Sequence, residues 1–361
     1  MKKTFVFFIV LLLLVTGCAE APTPKPTSLP EPTSAPTLPD ILPHSLYYLD
    51  NDASGLQQIV RLERDGQTLT QITAEAGGVD NFDLSPADGR IIYTTANTII
   101  IADANGENPQ IVEENLLDTS YPIWSSDGTK VAYKVESVAV LYDLETGVKE
   151  NLFVDAENER TWFSAFSPDD SKLAFRKFSA PSAPGGAVYI YDLDTRSISE
   201  LGLRDSCYND SILWASPDAL FCYGNSFIMG AWPGLRRINL PDSSVDRLIF
   251  SETLPPYWMV DAPRQNEDGS LHYLYGEVVG QSNEQPPYTL VRSAGDGITD
   301  RAPLRDEKFM PDYTKWTPNG EALLIEQNGQ LLLVPTDATQ PILTVMENTA
   351  NIETNSLEWG P

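Results

Sequence analysis

The chain has 361 residues with 24 basic and 51 acidic side chains, two histidines and three cysteines. A formal charge of −27 argues against sequence-independent nucleic-acid binding, which depends on Lys and Arg neutralising phosphates, and against electrostatic attachment to anionic lipid. The two histidines lie far apart, one of them in a proline-rich stretch, so a zinc site is not expected; no cofactor is expected either.

In chain order, Lys2-Lys3 precede an apolar run from Phe5 to Val15, which at 11 residues is too short to span a bilayer. Val15-Thr16-Gly17-Cys18 ends the run with small residues before a cysteine. This resembles a bacterial lipobox. The resemblance implies a signal peptide over residues 1–17, cleavage before Cys18 and a palmitate-type acyl anchor on its sulfur. The protein would then sit on the extracytoplasmic face of a bacterial cell membrane. An ordinary secretory signal with an incidental cysteine is the alternative. Residues 18–44 form a Pro/Thr-rich linker, with eight prolines between 19 and 43 and no apolar periodicity, so it is expected to stay extended. In polyproline II geometry, at about 3.1 Å per residue, it reaches roughly 75–80 Å. Cleavage leaves 22 basic against 51 acidic groups, a formal charge of −29.

From Ser45 to Pro361 one phrase recurs, an aromatic or apolar residue followed by Ser-Pro or a relative. It occurs at Leu84-Ser85-Pro86, Trp124-Ser125-Ser126-Asp127-Gly128, Phe166-Ser167-Pro168-Asp169, Trp214-Ala215-Ser216-Pro217-Asp218 and Trp316-Thr317-Pro318-Asn319-Gly320, with a degraded copy around Asp261 to Gly269. Each internal copy precedes a β-rich run such as Lys130-Val131-Ala132-Tyr133. Six units follow, at Asp80–Glu114, Tyr121–Val154, Phe163–Leu201, Ser211–Phe250, Tyr257–Leu304 and Tyr313–Val345, with a spacing of about 45 residues that suits four-stranded propeller blades. The last copy, Leu357-Glu358-Trp359-Gly360, has no run after it, while Ser45–Leu49 begins with no opening phrase before it. The expected fold of 45–361 is therefore all-β, a seven-bladed β-propeller of four-stranded antiparallel blades. Its last blade would join Leu357–Gly360 to Ser45–Leu49, Leu56–Leu62 and Thr68–Ile72.

These phrases, together with Tyr142-Asp143-Leu144, Tyr191-Asp192-Leu193-Asp194-Thr195 and Ile101-Ala102-Asp103-Ala104-Asn105-Gly106, resemble the TolB-like, WD-type propeller repeat. The resemblance covers nearly everything after Ser45 and implies a fold more than an activity. TolB also carries an α/β domain ahead of its propeller. Nothing in residues 19–44 could form one, so a role in the Tol–Pal system is not carried over.

No catalytic constellation stands out. His272 lies in the run Leu271–Tyr275 with no Gly-x-Ser-x-Gly elbow, and His44 lies in the linker. Asp50, Asp52 and Ser54 alternate before Gly55 as in the first half of a calcium loop, but Arg61 stands where the bidentate Glu would be; a polar hairpin is the plainer reading. Cys207 and Cys222 could be bridged or free. One asymmetry remains. The segments entering the inner strands carry Tyr121, Trp162, Tyr208, Tyr257, Trp258 and Tyr313 together with Asp80, Asp210 and Asp312. Long hairpins at Ser179–Gly186, Gly224–Pro233 and Glu277–Pro287 are expected on the same face. The expectation is a non-catalytic, monomeric binding or scaffold module for an envelope protein, peptide or glycan, with membrane lipid met through the acyl anchor. A carbohydrate-active enzyme using carboxylates at the channel mouth and a purely structural envelope component are the alternatives.

Overall fold

The computed structural model describes residues 39–116, 121–179, 186–201, 211–224, 234–250, 257–278, 286–350 and 356–361. Cys18 and the signal and most of the linker lie outside them, as do the tips of all three long hairpins.

The repeated turn explains the repeated phrase. Ser125 Oγ donates to Asp127 Oδ1 (2.7 Å) and accepts from Lys130 N (2.9 Å), while Thr129 N also donates to Asp127 Oδ1 (2.8 Å). Ser167, Asp169 and Lys172 repeat the arrangement, and Thr317, Asn319 and Ala322 repeat it with an amide in place of the carboxylate. These side chains bond backbone that the hairpin leaves unpaired. Gly128 closes its turn at φ 70°, and a Cβ there would stand 2.6 Å from Ser85 Oγ of the preceding blade. Asp170 takes the equivalent left-handed position at φ 57°. Its carboxylate accepts Ser126 N (2.6 Å) and Asp127 N (2.8 Å), tying one blade's turn to the next.

Seven four-stranded antiparallel sheets result. Six are contiguous in sequence, and the seventh is built from Glu358–Trp359, Leu46–Asn51, Gln57–Leu62 and Leu69–Gln71, in that order. Leu46 pairs with Trp359 and Tyr47 with Glu358, and Gly360 N donates to Ser45 O (2.8 Å). The chain is thus the expected seven-bladed propeller of four-stranded antiparallel blades, closed by pairing of Glu358–Trp359 with Leu46–Asn51.

The core lies between blades rather than within them. Ile92, Ile99 and Ile101 of the first blade pack on Trp124, Val131 and Tyr133 of the second. At the seam, Leu42, Leu46 and Tyr48 pack with Leu324, Leu331, Leu357 and Trp359. Leu42, in the stretch read as linker, is buried there, and its amide donates to Arg64 O (2.9 Å). A second device joins the blades. The indole N–H of Trp124 donates to Asp83 O (3.3 Å), that of Trp214 to Ala165 O (3.2 Å) and that of Trp316 to Ala262 O (2.8 Å). Each of these three tryptophans therefore packs in an interblade core and stitches its inner strand to the one before. Trp359, at the seam, makes no such bond.

Candidate functional site: the charged channel

The innermost strands are Asn81–Leu84, Ile123–Trp124, Glu159–Phe166, Ser211–Ser216, Tyr257–Gln265, Tyr313–Trp316 and Glu358–Trp359. Because side chains alternate along a strand, turning the aromatic residue of each phrase into the blade turns its predecessor toward the axis. Asp83, Ile123, Ala165, Lys315 and Glu358 hold this position, and all line one cavity of about 550 Å³. Pro86, Ser126, Pro318 and Pro361 border it just past the inner strands, and Tyr121 and Pro122 just ahead of one.

Three ionisable groups of three consecutive blades meet in it. Lys315 Nζ pairs with Glu358 and donates to Leu357 O (2.8 Å). Both side chains keep only about a quarter of their surface, with exposures of 26% and 27%. Asp83 accepts Trp124 N at Oδ2 (2.8 Å) and Leu84 N at Oδ1 (2.9 Å). Burial and then the nearby Glu358 charge push its pKa up to about 7, against the pull of those amides and of Lys315. Burial opposes the Lys315 charge, but Glu358, Tyr313 and Asp83 outweigh it and hold the ammonium on. In the fifth blade Asp261 repeats the Asp83 arrangement. Its Oδ1 accepts Ala262 N (2.6 Å) and the Thr314 hydroxyl of the next blade (3.2 Å), and burial raises its pKa.

The residues singled out from sequence fall into separate groups. Tyr121 is 55% exposed and lines the cavity. Trp162, also 55% exposed, lies two residues before the cavity-lining Ser164 and stacks obliquely on Phe178, with centroids 4.7 Å apart. It lies inside the strand Glu159–Phe166 rather than in an entering loop, paired with Arg176. Trp258 also lies within a strand, Tyr257–Gln265, half-buried against the core between the fourth and fifth blades. Tyr313 is half-buried at the seam core and donates to Leu357 O (3.4 Å). Asp80 and Asp312 are exposed, ahead of their inner strands. Tyr208, Asp210, Cys207 and the Tyr257 side chain lie outside the described residues. Cys222 is disulfide-bonded, with its partner outside them too.

The Asp50–Gly55 segment is a hairpin in which Asp52 Oδ1 accepts from Ser54 N (2.7 Å) and Leu56 N (3.1 Å). Among the described residues no three His, Cys, Asp or Glu side chains converge as metal ligands would. His272 packs 6.0 Å from Trp316, its pKa pushed down by burial and then by Arg292. Asp83, Lys315 and Glu358 were not among the candidates. The signal was present in the sequence: each stands immediately before the aromatic or apolar residue that opens a copy of the phrase.

No protein-family model matches the chain, and no curated protein matches it. Many solved structures do. Oligogalacturonate lyase from Vibrio parahaemolyticus is 10% identical, with 84% of this chain and 85% of that one covered at a TM-score of 0.55. Prolyl oligopeptidase B from Galerina marginata is 13% identical, with 88% and 50% covered at 0.58. TolB from Acinetobacter baumannii is 18% identical, with 88% and 82% covered at 0.46. The lyase and the peptidase thus share this architecture, and at such identities the likeness shows the fold alone.

Proposed function

We propose that the protein is an envelope-located binding module, held at the membrane through Cys18, that receives its ligand at the channel on the side of Tyr121 and Trp162. The observation that carries this reading is the channel itself, a charged, half-enclosed cavity with the exposed ring of Tyr121 in its lining. Such a combination suits recognition. The charged groups are also tied to the frame: Asp83 by two backbone amides, Lys315 by Glu358 and a carbonyl. That leaves them positioned to orient a ligand rather than to act as free bases.

One observation favours the enzyme alternative. A carboxyl that keeps its proton to about pH 7 beside a second acid is what glycan-cleaving chemistry asks of its acid and its partner. The two readings separate in a single experiment. The purified protein is titrated with a panel of oligosaccharides and peptides, and each mixture is then analysed for cleavage products. Saturable binding with intact ligand is expected. Turnover abolished by both Asp83→Asn and Glu358→Gln would establish the enzyme instead.

A further inference from the structure

The seam cavity holds two acids and one base. Glu358 is paired with Lys315, and Asp83 feels the same ammonium less closely. Burial followed by the Glu358 charge pushes the Asp83 pKa up to about 7, so near neutral pH a proton competes for that carboxyl. With Asp83 ionised the three groups carry one net negative charge, on a chain whose formal charge is −27. A cation entering the cavity replaces that proton at little cost, since the Asp83 carboxyl is already buried and held by two backbone amides. The lining also includes Trp359, which is 7% exposed and whose buried indole N–H has no partner among the described residues, unlike the donating indoles of Trp124, Trp214 and Trp316. At the rim stands the ring of Tyr121, and Trp162 lies two residues ahead of the lining Ser164; both are 55% exposed, and such rings attract cations and stack on guanidinium planes.

Resting on the channel reading above, we infer that the channel takes the alkylammonium or guanidinium group of a basic peptide, with Asp83 and Glu358 as its counter-charge and Tyr121 and Trp162 as its rim. An anion is disfavoured by the excess of carboxylate, and a neutral sugar would leave the net negative charge of the cluster unbalanced when Asp83 is ionised. An extended peptide can present a cation to the acids while its neighbouring residues reach the exposed ring of Tyr121. The long-range field of the acidic surface adds to the rate of encounter. Free polyamines share the charge but lack the backbone that spans from the acids to the rim.

The test uses the full chain in detergent and three probes: a tetra-arginine peptide, spermidine and a neutral tetrasaccharide. Titration calorimetry is run at pH 6 and pH 8, in buffers of different protonation enthalpy. Expected is saturable binding of tetra-arginine, tighter by about tenfold at pH 8, with proton release at pH 6, as linkage to one acid near pH 7 requires. Raising salt should weaken it. Spermidine should bind more weakly. Asp83→Asn keeps the acceptor for Trp124 N, so the fold should hold, and should abolish both the proton release and the pH dependence. Trp162→Ala, at an exposed ring, should lower affinity several-fold without altering proton release. Tetra-arginine binding that ignores pH and Asp83→Asn, or no binding at low salt, overturns the inference. Spermidine binding equal to tetra-arginine overturns the peptide part. If the tetrasaccharide binds and Trp162→Ala weakens it while tetra-arginine does not bind, the cation inference fails and the binding-module reading stands; if no probe binds, both lose their support.

Discussion

Closing the ring rests on very few residues, and that makes it measurable. The C-terminal strand contributes two paired residues, Glu358 and Trp359, yet Leu357 is fully buried and Trp359 is 7% exposed in the seam core. Truncating a buried Trp to Ala costs about 3–5 kcal/mol, and a buried Leu about 2–5. The two side chains share one cluster, so their costs do not simply add. Deleting Leu357–Pro361 should still remove at least about 5 kcal/mol, a large part of the ~5–15 kcal/mol that stabilises a typical domain. It would also expose the edge of Leu46–Asn51 and leave Lys315 without Glu358. Trp359→Ala is the graded form, expected at about 3–5 kcal/mol, and Trp162→Ala is the control, an exposed ring whose loss should cost within about 0.5 kcal/mol. Urea unfolding followed by far-ultraviolet circular dichroism gives the comparison, provided the slopes agree. A midpoint for Trp359→Ala that matches Trp162→Ala would refute the idea that the termini share a load-carrying blade.

Two further outcomes follow from contacts of the inner strands, and a third from the N-terminal sequence. Asp83 keeps its proton to about pH 7 in the folded protein and to about pH 4 when unfolded. Folding therefore takes up a proton between those values, and the Asp83 contribution is full below about pH 4 and lost as pH rises through 7. His272, shifted down, works in the opposite sense as pH falls below its ordinary range, so the measurement is the difference between wild type and Asp83→Asn across pH 4–8. A constant difference would contradict the assignment. Trp316→Phe should cost about 1 kcal/mol or more in urea unfolding, because it leaves Ala262 O without its indole donor; no cost would mean that the interblade stitch is incidental. Cys18→Ser should release the protein from the membrane fraction or block its processing, and unchanged partitioning would defeat the lipid anchor.

The fold was legible because the repeat is written in residues whose job is local or pairwise. Ser125, Asp127 and Gly128 build the same turn as Ser167 and Asp169, and the aromatic ahead of the turn fills the interblade core. The split seventh unit followed from the same pattern. The channel was less legible for a physical reason. Copies resemble one another at positions that face the neighbouring blade, whereas the residue facing the axis has no common packing duty. Asp83, Ile123, Ala165, Lys315 and Glu358 therefore share a place and no chemistry. Trp162 and Trp258 were read as loop residues because the phrase marks only the end of an inner strand. Pairing with long second strands, Lys172–Ser179 and Leu271–Val278, extends those inner strands upstream to Glu159 and Tyr257.

The site and the seam coincide, and this bears on how the channel can work. Asp83, Lys315 and Glu358 belong to the first, sixth and closing blades, so the cluster exists only when both chain ends are in place. Elsewhere an indole N–H ties the blades, as at Trp124, Trp214 and Trp316; at the seam Trp359 leaves that bond unmade, and the Lys315–Glu358 pair and Lys315 Nζ to Leu357 O stand in its place. A tryptophan stitch is indifferent to pH and to ions, whereas an ion pair beside a protonated carboxyl is not. Occupancy of the channel by charge therefore acts on the same contacts that hold the ring shut. A cation that replaces the Asp83 proton meets Lys315 and Glu358 in the same cavity, so its binding and the closure of the ring are coupled through Coulomb energy.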